Sequence, residues 1–469
     1  MRRVAVFAVA AIALLLVGLP PVLGMLTRSQ VAERVAALDA SGVFRASLRS
    51  YERGWFRSRA RIVLSLAPQT IARLDALAAS AGAPSFAATL DRRVPIEVEI
   101  AHGPLALLGG LYFGWSKIVA HLDTQASSVT ALERSLGVPY LFEFRGRTAF
   151  GGGVAFDADV PPVDLTIEDS RVVFSGATLA GTLSGDRLVS NGRFDRFELT
   201  ALPGAFAVRG LRAATDTRIR SAYALPGESS LQIEQVSIVD ATRGPMPVFD
   251  ASKLRVASKV GADPSNALLE VHASYDVDSV FVDGTRIADA SVGVALGKID
   301  GAALAAYLEA SRAEATGAAP SADLKAALAR ALAAGPSLVL DPVRFTVNEE
   351  PFTAHVELAA NPAALPPAGT FDPEDPAAVL PALRSVATVD ISKKLAREIA
   401  VLATELRYGS DSPASAQERL LAEAQAGLIL ITLVSQGIIE DAGETYRAEL
   451  RLTDGTLTLN GTELPLGLP

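Results

Sequence analysis

The sequence predicts an α+β protein: an N-terminal transmembrane helix, then an extended antiparallel, β-rich body, with helices mainly in the C-terminal third. Three observations carry this. Residues 4–19 hold no charge and follow Arg2 and Arg3. From about Tyr140 to Leu296, short β-like runs are separated by Gly, Pro, Asn and Asp at roughly 8 to 12-residue spacing, the signature of an antiparallel meander. At Asp300 the composition turns alanine-rich. A chain of 469 residues exceeds the roughly 250 to 300 that one core supports. Three regions are expected: an anchor over 1–26, a mainly antiparallel β region over 27–299, and an α+β region over 300–469 that ends in a β-hairpin.

The anchor comes first. About 20 apolar residues in a helix cross a hydrocarbon layer of about 30 Å, and N-terminal arginines favour a cytoplasmic start. Val22 and Gly24 also fit the small residues before a signal-peptide cut at Met25. Both readings export the chain, which places the body outside the inner membrane, in the periplasm.

Residues 27–40 read as a short helix, with Thr27 or Ser29 as cap and Val31, Val35 and Leu38 on one face. The period then drops to two. Phe44, Ala46 and Leu48 alternate with Arg45, Ser47 and Arg49, and Ala60, Ile62 and Leu64 alternate with Arg59, Arg61 and Val63. Gly54 marks a bend or bulge between these strands. Because adjacent strand residues point to opposite faces, at least one of Trp55 and Phe56 is expected in the core. A helix over 69–80 precedes a strand with Ile96, Val98 and Ile100 on one face and Glu97 and Glu99 on the other.

Beyond the meander, two alanine-rich helices are expected, the second from Ser321 to Gly335, a glycine suited to a helix C-terminus. Strands return over 337–360. After a proline-rich loop, "DISKKLAREIAVLATELRYG" reads as a helix. Ser415 and Glu418 form a capping box before a helix to about Gln436. Its "AGLILITLV" is apolar all round and too short to span a bilayer, so it is expected to be buried. Asp454-Gly455 and Asn460-Gly461, between alternating runs, predict tight hairpins.

Several of these stretches together resemble the YdgA-like family of bacterial envelope proteins, whose molecular function is not established. The resemblance rests on the apolar N-terminus, "YERGWFRS" at 51–58, "HGPL" at 102–105, "GKIDGAAL" at 297–304 and the closing "SQGIIEDAGETYRAELRLTDGTLTLNGTEL" at 435–464. It implies an inner-membrane protein with a periplasmic β-rich body and supplies no catalytic residue.

Chemistry is sparse. A formal charge of −9, with arginines mixed among acids, argues against nucleic acid as a partner. The chain has no cysteine, and its four histidines, His102, His121, His272 and His355, lack metal-ligand spacing, so no metal or cofactor is expected. No nucleophile elbow is present. Asp276 and Asp278 share a strand face and read as solvated acids; with His102 they would serve a carboxylate-dependent envelope hydrolase, the third functional expectation. The candidate ligand or membrane contacts are Arg53, Trp55, Phe56, Arg57, Arg59 and His102, basic and aromatic residues soon after the anchor. The leading expectation is a non-catalytic envelope protein that binds or supports a lipid, a lipidated protein or another envelope protein. The second is an assembly role in which sheet edges or the apolar C-terminal helix form a homo-oligomer.

Overall fold

The structure, a computed structural model, describes residues 28–29, 31–33, 35–36, 38–39, 44–80, 93–102, 105–107, 111–122, 133–134, 136–167, 169–201, 204–219, 226–240, 242–244, 246–262, 268–282, 284–314, 322–365, 379–408 and 416–464. The expected anchor over 1–26 and the capping residue Ser415 lie outside them. No helix among the described residues is long and apolar enough to cross a membrane. The chain divides into two compact units, 1–201 and 202–469.

The first unit is built from β1 (Phe44–Arg53), β2 (Arg57–Leu66), α1 (Pro68–Ser80), β3 (Val94–His102), β4 (Leu105–Leu107), β5 (Leu111–Phe113), β6 (Ser116–Leu122), β7 (Glu143–Thr148), β8 (Val154–Val160), β9 (Val163–Ile167), β10 (Ser170–Phe174), β11 (Ala177–Ser184) and β12 (Arg187–Ala201). Ten strands run antiparallel in the spatial order β1-β2-β3-β6-β7-β8-β11-β12-β10-β9. β4 and β5 form a separate hairpin.

Alternation sets the two faces of this sheet. One cross-strand row reads Tyr51, Ala60, Val98, Ala120, Phe144, Ala158. Its alanines let the helical segment 28–39 approach closely: Val31 packs on the cluster of Ala60, Val98, Ile100 and Ala120, and Val35 is buried, the face expected from spacing. At the other end of the segment, Asp39 Oδ1 accepts the Ala46 amide at 2.9 Å. Ala46 pairs with Leu64, whereas Tyr51 pairs with Ala60. The eight steps from Val31 to Asp39 rise about 12 Å, so the segment runs antiparallel to β1. Its beginning, at Arg28, points toward the sheet end that carries Arg53 and His102.

The other face departs from expectation at Glu97, which is buried although alternation assigns it to solvent. Cross-strand partners explain this. Arg59 Nε meets Glu97 Oε1 at 2.7 Å, and His121 Nε2 lies 3.7 Å from Glu97 Oε2.

The second unit comprises β13 (Gly204–Arg218), β14 (Gly227–Asp240), β15 (Pro247–Ala262), β16 (Leu268–Val282), β17 (Thr285–Asp300), α2 (Gly301–Glu314), α3 (Ala322–Ala333), β18 (Ser337–Val347), β19 (Glu350–Ala360), β20 (Leu383–Ser392), α4 (Lys393–Tyr408), α5 (Ala416–Ser435), β21 (Glu440–Asp441), β22 (Thr445–Thr453), β23 (Thr456–Leu459) and β24 (Thr462–Leu464). Each strand from β13 to β20 pairs antiparallel with the next, β20 pairs with β22, and β22 is flanked by β21 and β23. The meander expected up to Leu296 is therefore present, and helices concentrate after Asp300 as composition indicates.

Two adjacent rows cross nine strands of this unit. One is wholly apolar: Ala213, Leu231, Val256, Tyr275, Val292, Val343, Ala354, Val389, Ala448. The next is wholly polar: Arg212, Gln232, Arg255, Asp276, Ser291, Arg344, Thr353, Asp390, Arg447. Successive residues face opposite sides, so alternation that is local in each strand becomes two-sidedness of the whole sheet.

Tight turns follow their residues. Asp454-Gly455 and Asn460-Gly461 adopt positive φ at both positions (51° and 78°, 47° and 77°), the geometry that matches strand twist in two-residue hairpins. Asn460 does more than turn: its Nδ2 donates to Gly437 O at 2.8 Å and Ile438 O at 3.1 Å, tying the segment after α5 to the hairpin.

Two readings of this unit are corrected. The helix expected from Asp390 begins only at Lys393: residues 383–392 form β20, because the β-branched alternation of "VATVDIS" sits between two receptive strands. The apolar helix α5 is not buried. It packs through Ala422, Ala426 and Leu430, spaced one turn apart, and leaves Leu420, Leu421, Leu428 and Ile431 60–67% exposed. A helix apolar all round needs cover on every side. Here α4 packs against it, and α4 itself exposes Ile399 and Leu402.

Candidate functional site

The β1–β2 reversal is a tight turn rather than a kink in one strand. The Gly54 amide donates to Arg57 O at 2.8 Å, and a Cβ at position 54 would lie 2.4 Å from that oxygen, which is why glycine occupies it. Trp55 and Phe56 therefore sit in the turn, where strand alternation does not apply. Both are exposed, at 55% and 49%, correcting the expectation that one is core.

Register brings further aromatics to the same end of the sheet. Arg57 pairs with Ala101, His102 with Ser116, and Ser116 with Thr148. Trp115, just before β6, and Phe150, just after β7, are thus on this rim. Their rings meet edge-to-face at 5.3 Å, and Trp115 Nε1 donates to Phe150 O at 3.0 Å. Phe150 is half exposed. From β2 to β7 the rim spans three strand spacings, about 14 Å. The row beside it, Arg57, Ala101, Lys117, Arg147, Ala155, carries three cations and no carboxylate.

The remaining candidates divide. Arg53 pairs with Ser58 and belongs to the rim. Arg59 is one row further in and serves the sheet: besides Glu97 it donates from Nη2 to Glu99 Oε1 at 2.9 Å, and the hydrogen bond with Glu99, then the charge of Glu97, hold its pKa above the ordinary value. Arg45 and Arg49 line a groove of about 560 Å³ with Asp39 and Arg93 on β1's side, away from the rim.

His102 is 1% exposed. Its amide donates to Phe56 O at 2.8 Å and its Nε2 shares a 2.8 Å hydrogen bond with Ser58 Oγ, itself buried. The stretches "YERGWFRS" and "HGPL" are therefore joined in space by this pair. Among the described residues Nδ1 has no partner, and burial lowers the imidazole pKa. The ring fastens the turn from beneath and is closed to a ligand. A serine beside a histidine suggests nucleophilic catalysis, yet no described group orients Nδ1 and solvent does not reach the pair.

The carboxylates proposed for hydrolysis are engaged. Asp276 accepts from Ser291 Oγ at 2.8 Å; Asp278 takes Lys253 Nζ at 2.9 Å, and that hydrogen bond holds its pKa below the usual carboxylate value. A carboxylate kept ionised is unsuited to act as a general acid. Among the described residues no group of His, Asp and Glu is arranged to hold a metal ion.

Trp115 and Phe150 were missed by sequence reasoning, although a signal exists: both tryptophans follow a glycine, Gly54-Trp55 and Gly114-Trp115, and Phe150 precedes Gly151. An aromatic beside glycine at a strand end marks a turn, where a large ring is left outside.

No curated protein and no solved structure matches the chain. The family comparison agrees with the expectation of a bacterial family whose function is not established. Its model, described as a bacterial protein of unknown function (DUF945), matches residues 1–467, and the chain belongs to that family.

Proposed function

We propose that this chain is a non-catalytic, membrane-anchored envelope protein whose first unit meets the lipid surface with its aromatic rim and supports a lipid or lipidated partner there. The observation that carries the reading is the coincidence of three features at one sheet end: exposed Trp55, Phe56, Trp115 and Phe150, the cationic row of Arg57, Lys117 and Arg147, and the start of the helical segment that follows residues 1–26. Tryptophan favours the headgroup level of a bilayer, and each basic residue near an anionic surface contributes about 1 kcal/mol. An anchor over 1–26 brings that end to the membrane. A C-terminally tagged full chain is expected in the carbonate-resistant membrane fraction, with its tag digested by protease added to spheroplasts. A tag recovered in the soluble cytosol contradicts the reading.

A second reading, self-assembly, is favoured by the exposed aliphatic face of α5 and α4. If that face joins copies, sedimentation of the detergent-solubilised chain shows a dimer or larger species that Leu428→Gln with Ile431→Gln converts to monomer. A wild-type monomer at all concentrations removes this reading.

A further inference from the structure

The polar row of the second unit alternates in charge along most of its length. Arg255, Asp276, Arg344, Asp390 and Arg447 follow one another with only Ser291 and Thr353 between them. At one end the alternation fails: Arg212 and Arg255 flank Gln232 in direct register, where a carboxylate would continue the pattern. We infer that the surface over Gln232 is an anion site, clamped by Arg212 and Arg255, that takes a phosphate monoester.

The surroundings are shaped for it. The sheet is creased there by left-handed residues on alternate strands, Gly210 with φ 64° and Lys253 with φ 50°; outside glycine such a backbone is strained, and irregular backbone of this kind gathers at functional sites. The crease opens a groove of about 590 Å³ whose charged lining is Arg209, Arg212, Lys253 and Arg255 against Glu234 alone. Lys253 is taken by Asp278, and the cations on either side of Gln232 are Arg212 and Arg255. Glu234 does not fill the gap. It lies over Gly210, where an added Cβ would come within 2.6 Å of its carboxylate, and reaches Arg212 only at 3.8 Å with both side chains about two-thirds exposed.

The neighbouring acids have hydrogen-bond partners of their own, Asp276 in Ser291 and Asp278 in Lys253, although the charge of Arg255 also acts on Asp278. An adjoining recess of about 220 Å³ holds Lys253, Arg255 and Arg344 with Asp276, Asp278 and Asp289, three cations and three acids, and makes no such demand for an anion.

Two strand spacings separate Arg212 and Arg255 at Cα, about 10 Å, a span that lets two long arginine side chains reach one centre between them, with the Gln232 amide as a third donor. A phosphate offers three terminal oxygens to these three donors; a carboxylate offers two in one plane. The groove exceeds the volume of phosphate itself, which leaves room for an organic substituent. Such a group comes either from a soluble phosphate ester or from a lipid headgroup.

The test titrates the full chain in non-ionic detergent, at constant ionic strength, with inorganic phosphate and separately with a short-chain phosphatidic acid, by calorimetry. Saturable binding is expected for at least one probe. It weakens at least tenfold in Arg255→Gln and in Gln232→Glu, whose carboxylate occupies the anion position, and is unchanged in Arg384→Gln, an exposed cation elsewhere in the same unit. Gln232→Glu is also expected to melt no lower than the wild type, since it restores charge alternation, which separates lost binding from lost fold. Binding of both probes assigns the site to the phosphate group itself; binding of phosphatidic acid alone, still lost in Gln232→Glu, assigns it to a lipid headgroup. No saturable binding of either probe, or unchanged affinity in Gln232→Glu, overturns the inference. The rim reading is untouched by either result.

Discussion

Ile100→Ala lowers the unfolding free energy of the first unit by about 2–5 kcal/mol, the range for truncating a buried aliphatic side chain. Ile100 and His102 are the largest fully buried side chains among the described residues. Ile100 sits in a cluster with buried Ala60, Ala120 and Val98, and Val31, Leu48, Tyr51, Ile62, Ile118 and Phe144 pack partly buried against that cluster. The alanines are too short to refill the space, while the larger side chains packed on the cluster relax into part of it, so the loss stays within that range. Ile100→Val, which removes one methyl(ene), costs about 0.5–1.5 kcal/mol. Both tryptophans of the chain, Trp55 and Trp115, lie in this unit, so intrinsic fluorescence during urea unfolding reports its transition selectively. A loss below 1 kcal/mol for Ile100→Ala would show that this thin core is not what holds the unit.

Acid weakens the same unit through His102. Its native pKa is below the ordinary 6.5 because burial disfavours the imidazolium. The unfolded chain therefore binds a proton before the native state does. Stability from this group is fully present above pH 6.5 and is lost as pH falls below it, at up to about 1.4 kcal/mol per pH unit until the native pKa is reached. Protonation would also add a second ring N–H facing no described acceptor. The double variant Ser58→Ala, His102→Leu removes both hydrogen-bond partners together, which leaves no orphaned group. Its unfolding free energy is expected to be flat between pH 7.5 and 5.5 while that of the wild type declines. An equal decline in both assigns the acid sensitivity elsewhere.

Much of this architecture is legible in the sequence because its rules are local. Asp454-Gly455 and Asn460-Gly461 set their own φ angles, and the face Val31–Val35–Leu38 follows from helical spacing alone. The helix C-terminus at Gly335, with φ 69°, is equally local.

What resisted reading depends on partners distant in the chain. Glu97 is buried because Arg59 and His121 arrive from two other strands, a register no run of alternation encodes. The polar row needs nine strands to align past several bulges, so neither the isolation of Gln232 between two arginines nor the use of Asp276 by Ser291 is visible beforehand. Trp55 and Phe56 were misplaced by extending strand alternation through a turn. α5 was misplaced for the opposite reason: its hydropathy was read correctly, but whether an apolar helix is covered depends on what the rest of the unit packs against it.

The proposed function stands on the rim meeting lipid, and the chain's two tryptophans both sit there. The decisive measurement is tryptophan fluorescence of the full chain reconstituted in bilayers whose acyl chains carry bromine. Contact of the rim with lipid predicts strong quenching relative to unbrominated bilayers, persisting in Trp55→Phe and in Trp115→Phe, with partial relief in Arg57→Glu. Fluorescence indifferent to bromine, with the chain still membrane-bound, would place the rim in water and contradict the account.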